Sequence, residues 1–553
     1  MNDKTHDSKL IHRNQQADKL DGIWDFDPRT STEDYSYTPA RVMKPVYNIY
    51  KAQRKPQVVG FYSDSSQYDV RIDATLATKD GPGYDLSTVP PTAYDKIIFG
   101  FAGVVGDYDE KAVEIAKAAV QLNKSLHEPT FTDPFGDFQS ERNCGLLKYK
   151  SAVDFVSVTQ ENCNGVLGGL RDLQARAKDA GHKLVLSLGI GGPQMSKAFH
   201  SIAKHPESRH IFALGVVKLL KQFPMFSEID LNWQFPDERE NKNPFGRKVS
   251  FDYNALIAEL DAQSRSAGLS RFKINIAAPA NISQLKQFFS KSLPKSNVCG
   301  INLMTFDYFT TSQKNALYHT HHMTTGSGED SIESVISYLT NLGVASDNIY
   351  IGYAGYSRNA KNANISAISP LTGTFKAADK VTTGTRESGV SVWADITYHY
   401  LDLENQCGRN GFSLYTDQAA DADYLYNPTS KLFMSLDTPR TVKAKGEYAA
   451  KHNLGGVFAW EADQDNGLLI NAAREGLGYE IDQQMIDMQP FYFKGITGST
   501  PKKEFPAWED GHAYKIGDKI TYSGTHYQCI NAHVAIPTWA PGLAATLWSR
   551  VVL

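Results

Sequence analysis

Eight short runs rich in β-branched and aromatic residues recur along the chain, and several are separated by segments with the periodicity of an amphipathic helix. Runs of this length and composition predict β-strands, and strands that alternate with helices favour a parallel sheet. Eight strands, each followed by helical or loop sequence, is the number that closes a (β/α)8 barrel. The sequence therefore predicts an α/β protein built on a TIM barrel. The eight runs are QVVGFY (57–62), DKIIFGFAGV (95–104), KLVLSLGIGG (183–192), SEIDLNWQF (227–235), FKINIAAPA (272–280), GINLMTFDYF (300–309), NIYIGYAGY (348–356) and GGVFAWEAD (455–463).

The barrel accounts for only part of the 553 residues, so further units are expected. Residues 1–56 are polar and without clear periodicity, and they predict an arm or docking segment ahead of a barrel unit at 57–490. The connection between strands seven and eight has β-like runs of its own, which predicts a small inserted α+β domain at about 359–443. Residues 491–506 have the Gly, Ser, Thr, Lys and Pro content of a linker. The short, aromatic and turn-rich stretch 507–553 predicts a separate all-β module.

Composition and charge exclude several classes of function. A net charge of −4 gives no reason to expect nucleic acid or an anionic membrane as a partner. Five scattered cysteines without a CxxC pair argue against a disulfide framework or a zinc site, and no metal or organic cofactor is expected. The first residues lack the apolar core of a secretory signal, and no run of ~18 apolar residues follows, so we expect neither a classical signal peptide nor a membrane span.

The stretch FSEIDLNWQFP, residues 226–236, carries polar side chains at alternate positions of a predicted strand. Because side chains alternate between the two faces of a strand, Asp230, Asn232 and Gln234 must share one face. Catalytic groups of a barrel lie at the C-terminal ends of its strands, which places Gln234 at the mouth and the other two below it. The simpler interpretation is an ordinary half-polar barrel strand.

The same stretch resembles the signature of the family 18 glycoside hydrolases, the chitinases, which reads D-x-x-D-x-D-x-E followed by an aromatic residue and proline. SLGIGG resembles the family's S-x-G-G motif on strand three, and LMTFDYF resembles its M-x-Y-D motif on strand six. Trp460 in GVFAWEAD matches the strand-eight tryptophan beneath the sugar site, and LFMSLDTPR is similar to the S-Y-D-D-P stretch before it. The arrangement is most similar to the chitinase-like subunits of insecticidal toxin complexes from insect-pathogenic bacteria.

The resemblance implies a reaction in which the last Glu of the signature protonates the glycosidic oxygen and the substrate's own N-acetyl group attacks the anomeric carbon. The preceding Asp orients that acetamido group and balances the charge of the oxazolinium intermediate. Gln234 and Asn232 stand at these two positions. A Gln amide can donate a hydrogen bond but cannot release a proton, so we expect a rate deficit of at least roughly 10³-fold. Binding should suffer less, because neutral amides preserve the shape and much of the hydrogen bonding.

Other departures from the family pattern indicate natural drift after loss of catalysis. Ser227 replaces the first Asp of the signature, and Gly189 replaces the Ser of S-x-G-G. Phe306 replaces the Tyr of M-x-Y-D, which removes a hydroxyl that in the family contacts the reacting acetamido group. Pro193 stands where a Trp is common. The changes span three strands, which argues against a deliberate pair of isosteric substitutions.

A different carboxyl group could still replace the missing acid. Glu228 points to the same face, but it lies six residues before Gln234, which is roughly 20 Å along a strand and at the wrong end of the barrel. Asp237 and Glu238 are nearer, just beyond Pro236, and a mobile loop could bring one of them in. An unusual or weakly active chitinase therefore stays open as an alternative.

The resemblance also implies a sugar cleft around the barrel mouth. Trp460 is the residue most expected to bind sugar, because an aromatic face stacks on a pyranose ring and excludes water. Met304 could instead be a core residue, Asp230 could be hydrogen-bonded inside the barrel, and Arg358 could pair with an acid of the inserted domain. The residues assigned to the cleft are Trp460, Asp307, Met304, Phe306, Tyr62, Arg358 and Asp230.

Residues 507–553 resemble the small chitin-binding modules appended to bacterial chitinases. The matching residues are Trp508, Tyr514, Gly517, Asp518, Tyr522, Tyr527 and Trp548, with PTWAPG as the aromatic loop. Such modules bind a flat polymer surface through exposed rings, and Trp539, with Tyr522, is expected to make these contacts. Trp508, Tyr527 and Trp548 could instead form the core, because a module this small must turn several aromatic residues inward.

Three hypotheses follow. The first is a degenerate chitinase-like protein that binds chitin or N-acetylglucosamine-containing glycans without cutting them, as the accessory subunit of a toxin complex, with other subunits of that complex as partners. Its location would be extracellular or cell-released without a classical signal peptide. The second is a weakly active chitinase that uses Asp237 or Glu238. The third is a scaffold whose barrel mouth binds nothing.

Overall fold

The structure is a computed structural model, and the fold is described for most of the chain. Its described residues are 8–551 without residues 13, 21, 54–55, 70–80, 236–246, 270–271, 289–297, 310–315, 321–322, 324–330, 377–380, 499–504 and 524.

Eight parallel strands of the described chain close into a barrel, which confirms the predicted fold class. Each strand pairs with its neighbours in chain order, and β1 and β8 pair through Val59 and Phe458. The barrel closes where β1 also pairs with β2, with Val59 opposite Lys96. The strands are β1 Gln57–Ser63, β2 Lys96–Val104, β3 Val185–Gly192, β4 Phe226–Trp233, β5 Lys273–Pro279, β6 Val298–Met304, β7 Ile349–Ala354 and β8 Gly456–Trp460.

The barrel strands are buried on both faces, so they read as nearly continuous apolar runs. In β3, Leu186, Leu188 and Ile190 belong to the core between the barrel and its helices, called the main core below. The interior instead needs room for large side chains from neighbouring strands. A Cβ atom on Gly352 would approach the ring of Phe306 to 2.5 Å, so glycine at this position lets that ring fill the barrel.

Helices follow most of the barrel strands and pack around them. Pro206–Gln222 packs on Arg247–Ser266, and Pro439–Lys451 packs on Leu468–Gly476. No helix in the described ranges is both long enough and apolar enough to cross a membrane. The helices around the barrel are Ala112–Gln121, Pro134–Phe138, Gly165–Asp179, Ala198–Lys204, Pro206–Gln222, Arg247–Ser266, Ile282–Phe288, Ile332–Asn341, Pro439–Lys451 and Leu468–Gly476.

A second sheet is inserted between β7 and β8. It is antiparallel, and its order is Val390–Val392, Tyr356–Ala360, Leu432–Leu436, Ala422–Asn427 and Ser413–Asp417. A hairpin, Asn364–Ile368 with Leu371–Thr374, and a pair of short strands, Leu401–Asp402 with Cys407–Gly408, extend the unit. A helical turn, Trp393–Asp395, continues as a π-helix over Ile396–Tyr400.

The inserted sheet begins and ends earlier than the expected range of 359–443. Its first strand starts at Tyr356, with only Gly355 between it and the end of β7. Its last strand ends at Leu436, and Thr438 then caps a helix by accepting a hydrogen bond from the main-chain N–H of Thr441. That helix packs on Leu468–Gly476 and belongs to the barrel layer.

The described part of residues 1–56 is packed against the rest of the chain, which corrects the expected polar arm. Thr38 Oγ1 donates a hydrogen bond of 2.9 Å to the buried carboxylate of Asp395 in the insertion. Ile49–Tyr50 pairs with Ile481–Gln483, and Gln15–Leu20 forms a short helix. The hydrophobic periodicity of the sequence did not predict this packing, because the apolar residues of the segment are irregularly spaced. Those buried in the main core are Leu10, Ile11, Ile23, Phe26, Val42, Met43, Val46 and Tyr47.

The chain stays attached to the barrel unit beyond residue 490. Phe491 is buried in the main core. Ile496 accepts a hydrogen bond from the main-chain N–H of Thr416 and donates one to the carbonyl of Leu414, so it extends the edge of the inserted sheet. The expected linker, 491–506, is therefore docked at least as far as Ile496.

The C-terminal region forms a small all-β unit, as predicted. Lys519–Tyr522, Thr525–Cys529 and Trp548–Arg550 make an antiparallel sheet, and Ala513–Tyr514 pairs with His533–Val534. Its core is Tyr514, Ile520, Cys529, Ala535 and Trp548.

The packing of the N-terminal segment can be tested at two neighbouring residues. Ile23 is 2% exposed and Leu20 is 82% exposed. Ile23→Ala should lower the free energy of unfolding by about 2–5 kcal/mol, because it leaves a cavity in the core. Leu20→Ala should change it by less than about 0.5 kcal/mol. Chemical denaturation followed by tryptophan fluorescence measures both, and equal small effects would show that the segment is not part of the core.

Candidate functional site

Strand β4 turns its polar residues into the barrel and its apolar residues towards the helices. Leu231 and Trp233 lie in the main core, between the barrel and its helices. There the indole of Trp233 stacks on the ring of Phe199, with ring centroids 5.7 Å apart. Asp230 and Asn232 are fully buried. A strand has a side-chain period of two, so this burial leaves the polar side chains in one column inside the barrel.

That column ends at the barrel mouth with an amide pair. Asn232 Nδ2 donates to the main-chain carbonyl of Asp230 over 3.1 Å. Gln234 Nε2 lies 3.5 Å from Asn232 Oδ1, at the limit of a hydrogen bond. The main-chain N–H of Gln234 donates to Ser196 Oγ over 3.0 Å. Gln234 keeps partial exposure, so it is the member of the column that solvent and ligands can reach.

Asp230 is tied into the barrel interior. Its carboxylate accepts hydrogen bonds from Ser187 Oγ at 2.6 Å, from Asn302 Nδ2, and from Asn275 Nδ2 at 3.4 Å. Burial raises the pKa of Asp230, while the positive charge of Lys96 and the bond from Ser187 oppose that rise. The three donors come from β3, β5 and β6, so this carboxylate links the strands on both sides of β4.

Glu228 lies one step deeper and is engaged in ion pairs. Lys96 Nζ donates to its carboxylate over 2.9 Å, and Lys273 Nζ lies 3.4 Å away. Burial alone would raise the pKa of Glu228. The positive charge of Lys96 and the hydrogen bonds from Lys96 and Asn275 outweigh that effect and lower this pKa to about 2. A carboxylate held this firmly in the charged form is a poor proton donor. The other two candidate acids, Asp237 and Glu238, lie outside the described residues.

Aromatic rings surround the partly exposed Trp460 at the mouth. Its ring centroid lies 4.8 Å from that of Phe61 and 5.9 Å from those of Phe101 and Phe306. Met304 belongs to the same apolar cluster and is only 6% exposed. The cluster holds the indole in place while leaving part of its surface open.

Tyr62 does not belong to this cleft, which corrects the sequence prediction. It is 2% exposed and lies in the main core, outside the barrel interior, with its ring centroid 6.2 Å from that of Tyr84. Its neighbour Phe61 is the residue that points into the barrel and contacts Trp460. The sequence could not decide between them because QVVGFY is apolar on both faces, so the alternation carries no signal.

Asp307 and Arg358 form an ion pair at the mouth. The guanidinium donates two hydrogen bonds to the carboxylate, Nε to Oδ1 over 2.7 Å and Nη2 to Oδ2 over 2.6 Å. Tyr356 Oη donates to the same carboxylate over 3.1 Å. Asp307 has a left-handed backbone (φ 61°), a costly conformation that the surrounding contacts maintain. Arg358 thus pairs with an acid that follows β6, not with one of the inserted domain.

Three carboxyl groups at the ends of β1 and β8 were not singled out from the sequence. Burial and repulsion from Asp463 raise the pKa of Glu461 far above its usual range. Burial likewise raises the pKa values of Asp463 and Asp64 to about 6, against hydrogen bonds from Ser66 and Thr132 that lower them. The acidic residues directly after Trp460 in WEAD were the available signal.

The aromatic residues of the C-terminal unit divide between core and surface. Trp548 is buried, and its indole N–H donates to the carbonyl of Trp539 over 2.9 Å. Trp539 itself is 43% exposed. Tyr522 is half-buried, edge-on to Trp508 with centroids 5.5 Å apart. The presented ring is therefore that of Trp539, and Tyr522 offers only part of its surface.

No cluster of three or more His, Cys, Asp or Glu side chains within the described ranges is arranged to hold a metal ion. The mouth offers polar amides, the Asp307–Arg358 ion pair and an aromatic floor, with the carboxyl groups of Glu461, Asp463 and Asp64 beside them. Such a site can accept hydrogen bonds from, and stack against, a neutral ring with polar edges.

Two family models match the chain. Residues 57–465 match the glycosyl hydrolases of family 18, and residues 507–549 match the carbohydrate-binding module family 5/12. Both matches agree with the resemblances seen in the motifs.

Individual proteins from Yersinia entomophaga are similar over most of the chain. Its Chitinase 2 is 38% identical over 505 residues, covering 84% of this chain and 78% of that protein, and its Chitinase 1 is 37% identical over 490 residues, covering 84% and 89%. A crystal structure of the chitinase Chi1, fitted into the three-dimensional structure of the Yersinia entomophaga toxin complex, superposes with a TM-score of 0.79. It is 34% identical and covers 88% of this chain and 99% of that one.

The raised pKa of Asp463 should be visible in the pH dependence of stability. Folding raises this pKa to about 6 from the ordinary aspartate value of 3.8, so the folded protein binds a proton between these pH values that the unfolded chain does not. Stability should therefore fall as the pH rises through this window.

Asp463→Asn removes that dependence and should raise the free energy of unfolding at pH 7 by on the order of 1 kcal/mol, with no gain at pH 4. Chemical denaturation at pH 4, 5.5 and 7 measures the difference. The exposed Asp482→Asn serves as the control. A variant that is less stable than the native protein at pH 7 would contradict the assignment.

Proposed function

The chain belongs to the glycosyl hydrolases of family 18 and carries a carbohydrate-binding module of family 5/12, and we propose that it binds chitin and related N-acetylglucosamine-containing glycans without hydrolysing them. One observation carries the proposal. The exposed end of the β4 column at the barrel mouth is the carboxamide of Gln234, directly above the carboxamide of Asn232.

The loss of hydrolysis follows from the chemistry of these two amides. A carboxamide has no proton to give to the glycosidic oxygen, and Asn232 brings no negative charge to balance an oxazolinium ion. Positioned proton transfer contributes roughly 10²–10⁴-fold to such reactions, so a deficit of at least about 10³-fold is expected. Asp230, the nearest described acid on the same face, is fully buried and hydrogen-bonded inside the barrel, and Glu228 below it is held as a carboxylate by Lys96.

The retention of binding follows from what the mouth still offers. Gln234 Nε2 can donate to a sugar oxygen. Asn232 Oδ1 can accept from an acetamido N–H once the Gln234 side chain, which lies over it, turns aside. Trp460 provides an apolar face for a pyranose ring, supported by Phe61. Neutral amides need no proton to bind, so the two amides themselves add no pH dependence to the affinity.

We further propose that the protein acts as an accessory subunit of an insecticidal toxin complex and works outside the producing cell. Support comes from its similarity to Chi1, whose structure is described as fitted into the Yersinia entomophaga toxin complex. The barrel mouth and the C-terminal module would then both bind a chitinous surface and hold such a complex at its target. Once one site has bound, the other faces a high effective concentration of chitin, so the two together bind more tightly than either alone.

A weakly active chitinase is the second candidate function. It is favoured by the names of the two Yersinia entomophaga relatives, both of which are called chitinases. It would require Asp237 or Glu238 to act as the acid. A scaffold that binds no glycan at the mouth is the third candidate, and it differs from the first in the outcome of a binding measurement.

Restoring the two acids tests the proposal. Gln234→Glu combined with Asn232→Asp should raise the hydrolysis of chitohexaose by at least about 10³-fold over the native protein, because the proton donor and the counter-charge return. Chromatography of the products over time measures the rates. Asp237→Asn combined with Glu238→Gln is the matched control, and it should leave the products of the native protein unchanged. A fall in native hydrolysis in that control would instead support the weakly active enzyme.

The two aromatic sites can be separated by single substitutions in the full chain. Trp460→Ala should weaken the binding of soluble chitohexaose at least about tenfold, because truncating an aromatic anchor costs more than ~1 kcal/mol. Trp539→Ala should leave that affinity intact and reduce retention on insoluble chitin. Ile516→Ala, at an exposed apolar residue of the same module, is the control. Chitohexaose affinity that is unaffected by Trp460→Ala would favour the scaffold.

A further inference from the structure

The main chain of Gln234 lies just beyond the paired part of β4. The pairing of β4 with β5 extends to Leu231, opposite Ile276, and its pairing with β3 extends to Trp233, opposite Gly192. Gln234 follows the last of these pairs, so the hydrogen bonds of the sheet do not fix its main chain. Because its carboxamide is the exposed end of the β4 column, the position of that amide depends on contacts outside the sheet.

Ser196 provides such a contact from the loop that follows β3. Its Oγ accepts a hydrogen bond from the main-chain N–H of Gln234 over 3.0 Å. The same hydroxyl lies 2.6 Å from the carbonyl oxygen of Gly192 and 3.1 Å from that of Asn232, and it donates its proton to these carbonyl groups. Ser196 is only 5% exposed, so water competes poorly for these bonds. One hydroxyl therefore joins the end of β3 to the end of β4.

A glycine at the end of β3 allows the two strand ends to come this close. Gly191 has a left-handed backbone with φ 102°, and a Cβ atom there would lie 2.5 Å from the carbonyl oxygen of Asn232. A larger residue would force β3 away from that carbonyl group, which Ser196 also contacts. The glycine pair in SLGIGG thus serves the contact between Ser196 and β4.

The loop that carries Ser196 is itself held by the connection that follows β2. The main-chain N–H of Ala198 donates to Asp107 Oδ2 over 2.8 Å, and Asp107 is 7% exposed. Lys197 Nζ lies 3.3 Å from Asp109 Oδ1. Hydrogen bonds to a carboxylate are stronger than those between neutral groups, so they fix the loop on both sides of its contact with β4.

We propose that Ser196 is the positioning residue for the glycan-binding carboxamide of Gln234. It fixes the main chain at position 234, from which Gln234 Nε2 reaches a sugar oxygen. This inference rests on the function proposed above, in which that amide contacts the glycan. Without the Ser196 hydroxyl the N–H of Gln234 loses its acceptor, and the carboxamide occupies the binding position for a smaller fraction of the time. The apparent affinity falls with that fraction.

A double-mutant cycle in the full chain tests this role, with the affinity for chitohexaose measured by isothermal titration calorimetry. Gln234→Met keeps the shape of the side chain and removes the donor, so it should weaken binding about fivefold, as expected for one hydrogen bond. Ser196→Ala should weaken binding about two- to fivefold. The double variant should bind no more than about twofold more weakly than Gln234→Met, because Ser196 acts through that amide.

Ser331→Ala is the matched control for the loss of a buried hydroxyl. Ser331 is fully buried, and its Oγ accepts a hydrogen bond from the main-chain N–H of Ser334 over 3.2 Å at the start of the helix Ile332–Asn341. This variant should lower the melting temperature and leave the affinity for chitohexaose unchanged. Ser196→Cys has nearly the volume of serine but a weaker acceptor, so it takes the place of Ser196→Ala in the cycle where that variant fails to fold.

The outcomes separate this role from the proposed function. If the losses multiply, so that the double variant shows the product of the two single effects, Ser196 acts independently of Gln234 and the proposal is overturned. Unchanged affinity in Ser196→Ala overturns it as well, while binding by the native protein still supports the proposed function. A native protein that does not bind chitohexaose contradicts the proposed function, and the role of Ser196 with it.

Discussion

The hydrogen-bonded carboxylate of Asp230 is the interaction on which the rest of the site depends. A fully buried carboxylate is tolerated only when its oxygens are satisfied, and here the donors are Ser187, Asn275 and Asn302, one from each of three other strands. These bonds hold β3, β5 and β6 in register with β4. Once Asp230 is fixed in the interior, the period of the strand places Asn232 above it and Gln234 at the mouth.

Along the β4 column, the charged groups lie at and below Asp230, and only neutral amides lie above it. Lys96 is buried and pairs with Glu228, so its positive charge is used at the base of the column. The two amides above Asp230 add hydrogen-bonding capacity without adding charge that would need compensation. This arrangement suits a cleft that holds a neutral sugar, whereas the counter-charge that substrate-assisted hydrolysis requires is missing from the Asn232 position.

The sequence predicted the parts of the structure that periodicity and motifs encode. All eight barrel strands lie within or across the predicted runs, because each is a buried apolar stretch bounded by loop residues. Asp230, Asn232 and Gln234 could be assigned to one face because polar and apolar residues alternate there.

The errors arose where that alternation is absent or where partners are distant in sequence. Tyr62 and Phe61 could not be told apart in an all-apolar strand, and the irregular apolar residues of the N-terminal segment gave no helical or strand period. The pairing of Arg358 with Asp307 depends on the contact between β6 and β7, and the proximity of Asp64 to Glu461 depends on the pairing of β1 with β8; no local pattern reports either.

The most direct test of the central claim is a crystal structure of the native protein grown with an excess of chitohexaose. The account predicts an unbroken oligosaccharide across the barrel mouth, with a pyranose ring on Trp460, an acetamido group at Asn232 and a glycosidic oxygen next to Gln234. A cleaved oligosaccharide in the cleft would contradict the absence of hydrolysis. A mouth that remains empty at saturating sugar would contradict the retained binding.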